Sequence, residues 1–135
     1  MSTGFMLSIV APDRSVVETE VVSVIAPGAM GYFGVLPGHL PMVAALKPGL
    51  LEYQDPSKER HTVAVSGGFV EVSGSKITVL ADAAERSNEI DLARAEVALE
   101  NARKALRGEA SGVTSEDAHA ELDRAMNRVR VAKGG

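Results

Sequence analysis

The chain changes character between residues 83 and 95. All six prolines and nine of the thirteen glycines lie before that stretch. Ahead of it, apolar runs are short and repeatedly punctuated. Behind it, proline is absent and the only pause is the Gly-containing loop 108–113. Proline removes a backbone donor and fixes φ, so dense Gly/Pro punctuation forbids long helices and its absence permits them. Two architectures must therefore meet here. The reading is an α+β chain: residues 1–86 form one domain and residues 87–135 a helical appendage.

In the first part, apolar runs fall at 5–10, 15–17, 21–25, 32–36, 42–46, 50–53, 61–65, 69–72 and 76–81. Each is of strand length and rich in Val, Ile, Leu or aromatics. Turn residues separate them, among them Pro12-Asp13, Pro27-Gly28, Lys47-Pro48-Gly49, Pro56-Ser57, Ser66-Gly67-Gly68 and Ser73-Gly74-Ser75. The last link is short enough for a hairpin. Turns at this frequency, with no helical period between them, predict an antiparallel β-sandwich or barrel.

The stretch 31–41, Gly-Tyr-Phe-Gly-Val-Leu-Pro-Gly-His-Leu-Pro, packs glycines and prolines among large apolar groups. It reads either as a strand running into a tight turn or as a contact loop that presents apolar anchors on a rigid frame. His39 has no carboxylate or second histidine near it in sequence, which favours a structural or interface role.

Beyond the join the period becomes three and four. Leu92, Ala95, Leu99, Ala102 and Leu106 share one helical face, as do Ala118, Leu122, Ala125, Val129 and Ala132. Ser87 or Asn88 is the expected cap of the first helix, Gly108 its expected end, and Thr114 with Asp117 the start of the second. A short link makes an antiparallel hairpin. Its seams are Ala-rich and bury little area, so either it lies loosely docked and able to open, or it simply packs on the sandwich. Glu116, Asp117, Glu121 and Asp123 precede Arg124, Arg128, Arg130 and Lys133. That order suits the helix dipole, and it also leaves a basic end able to meet an acidic partner or a phosphate.

Several classes are set aside. A net charge of −4 with five aromatics and no basic stripe argues against nucleic acid as a partner. Zero cysteines exclude thiolate metal sites and thiol nucleophiles. The three histidines lack metal-ligand spacing, so no metal site is expected. The first ten residues lack a basic, long-apolar leader pattern, and no apolar run nears the roughly 20 residues of a membrane helix. The chain is expected to be soluble, without direct membrane insertion. No Gly-Lys-Ser/Thr phosphate loop and no acid–base or nucleophile pair can be assembled, so catalytic residues are expected to be none.

One constellation remains. Asp91 and Arg94 lie three apart on the first helix, and Arg124 and Arg128 four apart on the second. In an antiparallel hairpin the three arginines would converge around Asp91. Such a group is either a surface ion-pair cluster or a site for phosphate and ribose.

At this point a resemblance emerges over nearly the whole length. The stretches 34–41 (GVLPGHLP), 64–72 (AVSGGFVEV), 78–86 (TVLADAAER), 90–95 (IDLARA) and 124–129 (RAMNRV) resemble the epsilon subunit of the rotary F-type ATP synthase of bacteria. The resemblance implies an N-terminal antiparallel β-sandwich, then a C-terminal two-helix hairpin. It implies a non-catalytic central-stalk subunit that couples proton transport to ATP synthesis and inhibits ATP hydrolysis through the hairpin. The implied partners are the gamma subunit, the c-ring and, through the hairpin, the alpha/beta catalytic head. The implied location is peripheral, on the cytoplasmic face of the bacterial plasma membrane. No cofactor is required, and ATP is implied as a regulatory ligand. By position, Glu85, Ile90, Asp91, Arg94, Ala95, Arg124 and Arg128 match the nucleotide motif. Tyr32, Phe33 and His39 match the loop that faces the c-ring. Tyr32 stands where many relatives carry an acid, which implies an aromatic contact there. The competing readings are a stand-alone nucleotide-sensing adaptor with a helical clamp and a small β-sandwich enzyme.

Overall fold

The structure, a computed structural model, describes residues 4–38, 41–108 and 114–134. Eight strands come first: β1 (Phe5–Ala11), β2 (Arg14–Val21), β3 (Ser23–Gly28), β4 (Gly31–Val35), β5 (Met42–Gln54), β6 (Arg60–Ser73), β7 (Lys76–Ala81) and β8 (Ala84–Arg86). A 3-10 turn, Ser87–Glu89, leads to helices α1 (Leu92–Leu106) and α2 (Ser115–Ala132). The strand order is β2-β1-β7-β6-β5-β3-β4, and β8 pairs with β6. Among the described residues six of the seven ladders are antiparallel. The exception is β1 with β7, which run parallel with Leu7 opposite Ile77 and Ile9 opposite Val79.

Two expected turns are bends inside long strands. The runs at 42–46 and 50–53 fuse into β5, and those at 61–65 and 69–72 fuse into β6. The Pro in the first bend is tolerated because the β3 ladder is interrupted there. Ile25 pairs with Glu52 and Gly28 with Leu46, so three steps on β3 face six on β5, and the donor that Pro48 lacks is not called for. The second bend uses Gly67 and Gly68, at φ +96 and +120. A Cβ on Gly68 would run into the Leu80 carbonyl oxygen. Beyond the bend, β6 exchanges β8 (Ala64 opposite Glu85) for β7 (Val70 opposite Val79) along the same edge. Each long strand thus serves both halves of the folded sheet. Their inner faces close one core that includes Leu7, Ile9, Val24, Leu51, Val65 and Val79, each at most 1% exposed or fully buried. The β6–β7 link is the expected hairpin, with Gly74 at φ +59.

The first helix starts later than its sequence suggests. Ser87 and Asn88 belong to the 3-10 turn, and the cap is Asp91, whose Oδ1 accepts from the Arg94 backbone N–H at 3.2 Å. Thr114 caps α2 as expected, accepting from Asp117 N at 3.1 Å. Gly108 follows α1 at φ +81, its N–H donating to the Ala105 carbonyl. The helices, about 22 and 27 Å long at 1.5 Å per residue, pack through Ala95, Ala102, Ala118 and Ala125, all buried. A second face of α2 lies on the sandwich. There Val129 and Val131 meet Ala64 and Ile90, with Leu50 and Leu92 alongside.

Candidate functional site

The expected arginine constellation is distributed among separate partners. Arg128 reaches across to the sandwich and grips Glu85 of β8 with both ends of its fork, Nε to Oε1 at 2.7 Å and Nη2 to Oε2 at 3.1 Å. Arg124 pairs with Glu121 one turn back on its own helix. Arg94 extends over an open groove of about 340 Å³ lined by its own helix, Ala93, Val97, Ala98 and Asn101. Among the described residues its guanidinium meets no carboxylate. The Asp91 carboxylate is exposed and serves as the α1 cap. Ile90 (8% exposed) and Ala95 (fully buried) belong to the apolar seat under α2. Of the seven residues matched to the nucleotide motif, the structure directly joins Glu85 to Arg128 and packs Ile90 with Ala95.

The linker is fixed from the other side. Arg14 of β2 donates to Glu89 at 2.6 Å, and the Arg86 N–H donates to the same carboxylate at 3.0 Å. The hydrogen bond from Arg14, then that from Arg86, hold the Glu89 carboxyl below the usual glutamate range. Arg86 Nε in turn donates to the Val16 carbonyl at 2.9 Å. The 3-10 turn is therefore bound to β2 before the first helix begins.

On β4, alternate side chains take opposite directions. Phe33 is half-buried against the core, whereas Tyr32 is 49% exposed and turned towards α2. The Tyr32 oxygen accepts from Leu50 N at 3.1 Å and from Arg130 Nη2 at 3.4 Å, and Lys47 Nζ sits 5.8 Å above its ring. Asn127, 7% exposed, donates to the Gly49 carbonyl at 2.7 Å. His39 lies outside the described residues.

Sequence reasoning missed Asn127 and Val131, because it followed the α1-facing stripe and not the sandwich-facing one. It also missed Asp55, Glu59 and His61, whose ligating atoms lie within 4.8 Å of one another. The Asp55 carboxylate contacts His61 Nε2 at 3.0 Å and accepts from Glu59 N at 3.0 Å. That hydrogen bond from His61, with the backbone bond, lowers the Asp55 pKa. The His61 ring stacks on Tyr53 at 4.9 Å. These contacts close the β5–β6 hairpin. Their spacing of four and two residues was the available signal.

One apolar surface is not covered. Ala45, Phe69, Leu80 and Val10 stand opposite one another across four strands, with Phe69 59% and Leu80 57% exposed, and Val43 beside them is 70% exposed. A groove of about 680 Å³ at the near end is lined by Met30, Tyr32, Phe33, Met42 and Ala44 among others. Met30 is fully exposed. Among the described residues no helix is long and apolar enough to cross a membrane.

Residues 4–87 match the family described as ATP synthase, Delta/Epsilon chain, beta-sandwich domain, and residues 88–133 match its long alpha-helix domain. Proteins named ATP synthase epsilon chain are similar over nearly the full length. That of Desulforamulus reducens is 45% identical over 94% of this chain and 96% of its own. That of Moorella thermoacetica is 43% identical over 93% and 94%, and that of Nitratidesulfovibrio vulgaris 46% over 97% of each. The fold recurs in a chain of the Euglena gracilis mitochondrial ATP synthase, solved with OSCP, F1 and c-ring. The TM-score is 0.83 at 24% identity, covering 98% of this chain and 83% of that one. It recurs more distantly in the central stalk and c-ring of the Tetrahymena thermophila enzyme, at TM-score 0.57 and 13% identity.

Proposed function

The chain belongs to the ATP synthase delta/epsilon family, and from that premise we propose that it is a rotor subunit of the central stalk whose hairpin restrains ATP hydrolysis. It carries no active site. It couples proton transport to synthesis by linking the gamma subunit to the c-ring, on the cytoplasmic face of the membrane. The exposed Leu80–Phe69–Ala45 row, flanked by half-buried Val10, supports a gamma-binding face, because an apolar stripe of this kind is rarely left in water. The Met30 groove and the following turn support a c-ring contact. Within it Phe33 acts from beneath and Tyr32 from its exposed ring edge.

The observation that carries the regulatory half is the manner of attachment. The core of the sandwich is complete within residues 5–84, and the hairpin is held outside it by a small apolar seat and a few polar contacts. An element attached in this way can leave without unfolding the domain it leaves. Extended, it would reach the alpha/beta head. Folded, it would hold ATP. In that reading Arg94 is ready for phosphate, whereas Arg128 must trade Glu85 for a phosphate oxygen, which lowers affinity.

Calorimetric titration of ATP into the full chain tests the nucleotide half. Asp91→Ala would remove a helix cap costing about 1 kcal/mol, so Asp91→Asn, which keeps a capping oxygen and loses the charge, is the informative variant. Binding by the native chain, weakened at least about tenfold in Asp91→Asn and Arg94→Ala, is the expected result. No binding heat from the native chain would remove ATP from the account, and equal binding by all three chains would place ATP away from Asp91 and Arg94. A complex with gamma would still stand.

A further inference from the structure

The structure assigns Asn127, Arg130 and Tyr32 to a latch that positions α2 on the sandwich independently of the nucleotide motif, and that ties its release to β4. The inference deepens the proposed regulation and rests on the hairpin being able to move.

The seam between α1 and α2 is alanine, and the seat under α2 is small: Ala64, Ile90, Ala95, Val129 and Val131. Polar contacts therefore weigh heavily in whether α2 stays down. Asn127 is the one buried polar side chain of the described hairpin, and both ends of its amide are used. Nδ2 donates to the Gly49 carbonyl at 2.7 Å, and Oδ1 accepts from Arg130 Nη2 at 3.1 Å. Reversing the amide would set oxygen against oxygen and NH₂ against guanidinium, so only one orientation holds. Arg130 also approaches the Tyr32 oxygen at 3.4 Å, and the same oxygen takes the Leu50 N–H at 3.1 Å.

The latch thus engages both ends of one β5 peptide: the Leu50 amide on the side where the β3 ladder is interrupted, and the Gly49 carbonyl on the β6 side, where Gly49 stands opposite Val65. Gly49 is required there, since a Cβ would come within 2.9 Å of the Tyr32 hydroxyl and closer to Pro27. A cleft of about 450 Å³ lined by Lys47, Pro48, Asp123, Met126, Asn127 and Arg130 runs along the latch. Water can enter there once Asn127 lets go. None of the three residues belongs to the nucleotide motif, and the Arg128–Glu85 pair is a separate fastening. Tyr32 sits on β4, three residues before its last residue, Val35, from which the chain runs into the turn at Pro37 and Gly38. A load on that turn acts directly on the hydroxyl that helps hold Arg130.

Residue-resolved amide hydrogen exchange on the full chain tests the latch, with β1 and β7 amides as the check that the sandwich is folded. Losing the Asn127 amide in Asn127→Ala, which removes its bonds to both Gly49 and Arg130, should speed exchange at residues 125–131 about tenfold relative to Ala118. Tyr32→Phe keeps the ring and loses the oxygen, and should speed it about threefold; combined with Arg130→Ala the gain should be less than the product of the two single gains, because both variants remove the same Tyr32–Arg130 contact. Exchange within about twofold of native in both Asn127→Ala and Tyr32→Phe would overturn the latch. Faster exchange with unaltered hydrolysis by the assembled enzyme would uphold the latch and sink the inhibitory role of the hairpin instead.

Discussion

Gly31 and Gly68 both sit at positive φ, at +131 and +120, but for different reasons. Around Gly31 there is open space, whereas Gly68 lies against the Leu80 carbonyl and the Ala81 Cα. Gly31→Ala should therefore cost only backbone strain, about 1 kcal/mol. Gly68→Ala should cost roughly 3 kcal/mol or more, because strain and collision add. In thermal unfolding, a loss near 10 °C for the second and a few degrees for the first is the expected contrast. Glu89 supplies a second test. Its carboxyl titrates lower when folded, so the unfolded chain binds that proton more tightly. The stability it adds is complete above the unfolded value, near pH 4.3, and drains away as pH falls through the lower folded value. Melting curves of Glu89→Gln should show a flatter decline as pH falls below about 4.3 than the native chain. An unchanged acid limb would mean that the Arg14 contact contributes nothing in solution.

Elements were legible where local chemistry decides them. Thr114 caps α2 because its hydroxyl needs only the next turn, and Gly108 ends α1 because only the last turn is involved. The bends at 47–49 and 66–68 were not legible. Pro and Gly mark turns in both hairpins and bulges, and the difference lies in partners distant in sequence, such as Gly28 opposite Leu46 and Ala81 opposite Gly68. The cap moved to Asp91 because Ser87 and Asn88 were taken into a turn held by Arg14, 75 residues from Glu89. The candidate site was half legible for the same reason: motif and spacing named Glu85 and Arg128, but helix rotation decides which guanidinium faces a carboxylate. Since the first core closes without the hairpin, a chain ending at Arg86 should keep its β-sheet circular dichroism and a cooperative melt. Loss of both would show that the hairpin is part of the folding unit.

For the whole molecule, three sets of polar fastenings hold the hairpin among the described residues: the Glu85–Arg128 pair, the contacts of Gly49, Tyr32, Asn127 and Arg130, and Arg60 of β6, which donates to the Gly134 carbonyl at 2.9 Å just beyond α2. On the proposed function, removing residues 87–135 should leave gamma binding intact and raise ATP hydrolysis by the reassembled enzyme. Steady-state turnover beside a gamma pull-down measures both. Unchanged turnover would confine the chain to a structural part of the rotor.

The parallel pairing of β1 with β7 bears on how the protein is made. The β1–β2 hairpin emerges from the ribosome first, but the other edge of β1 finds its neighbour only when Lys76–Ala81 has been synthesised. At 5–20 residues per second that edge waits roughly 3 to 13 s. Leu7 and Ile9, buried in the finished fold, have no complete shelter for that time. A nascent hairpin with an open edge and apolar face is a substrate for chaperones and for stray strand pairing. This exposure falls during translation, before the protein meets any rotor.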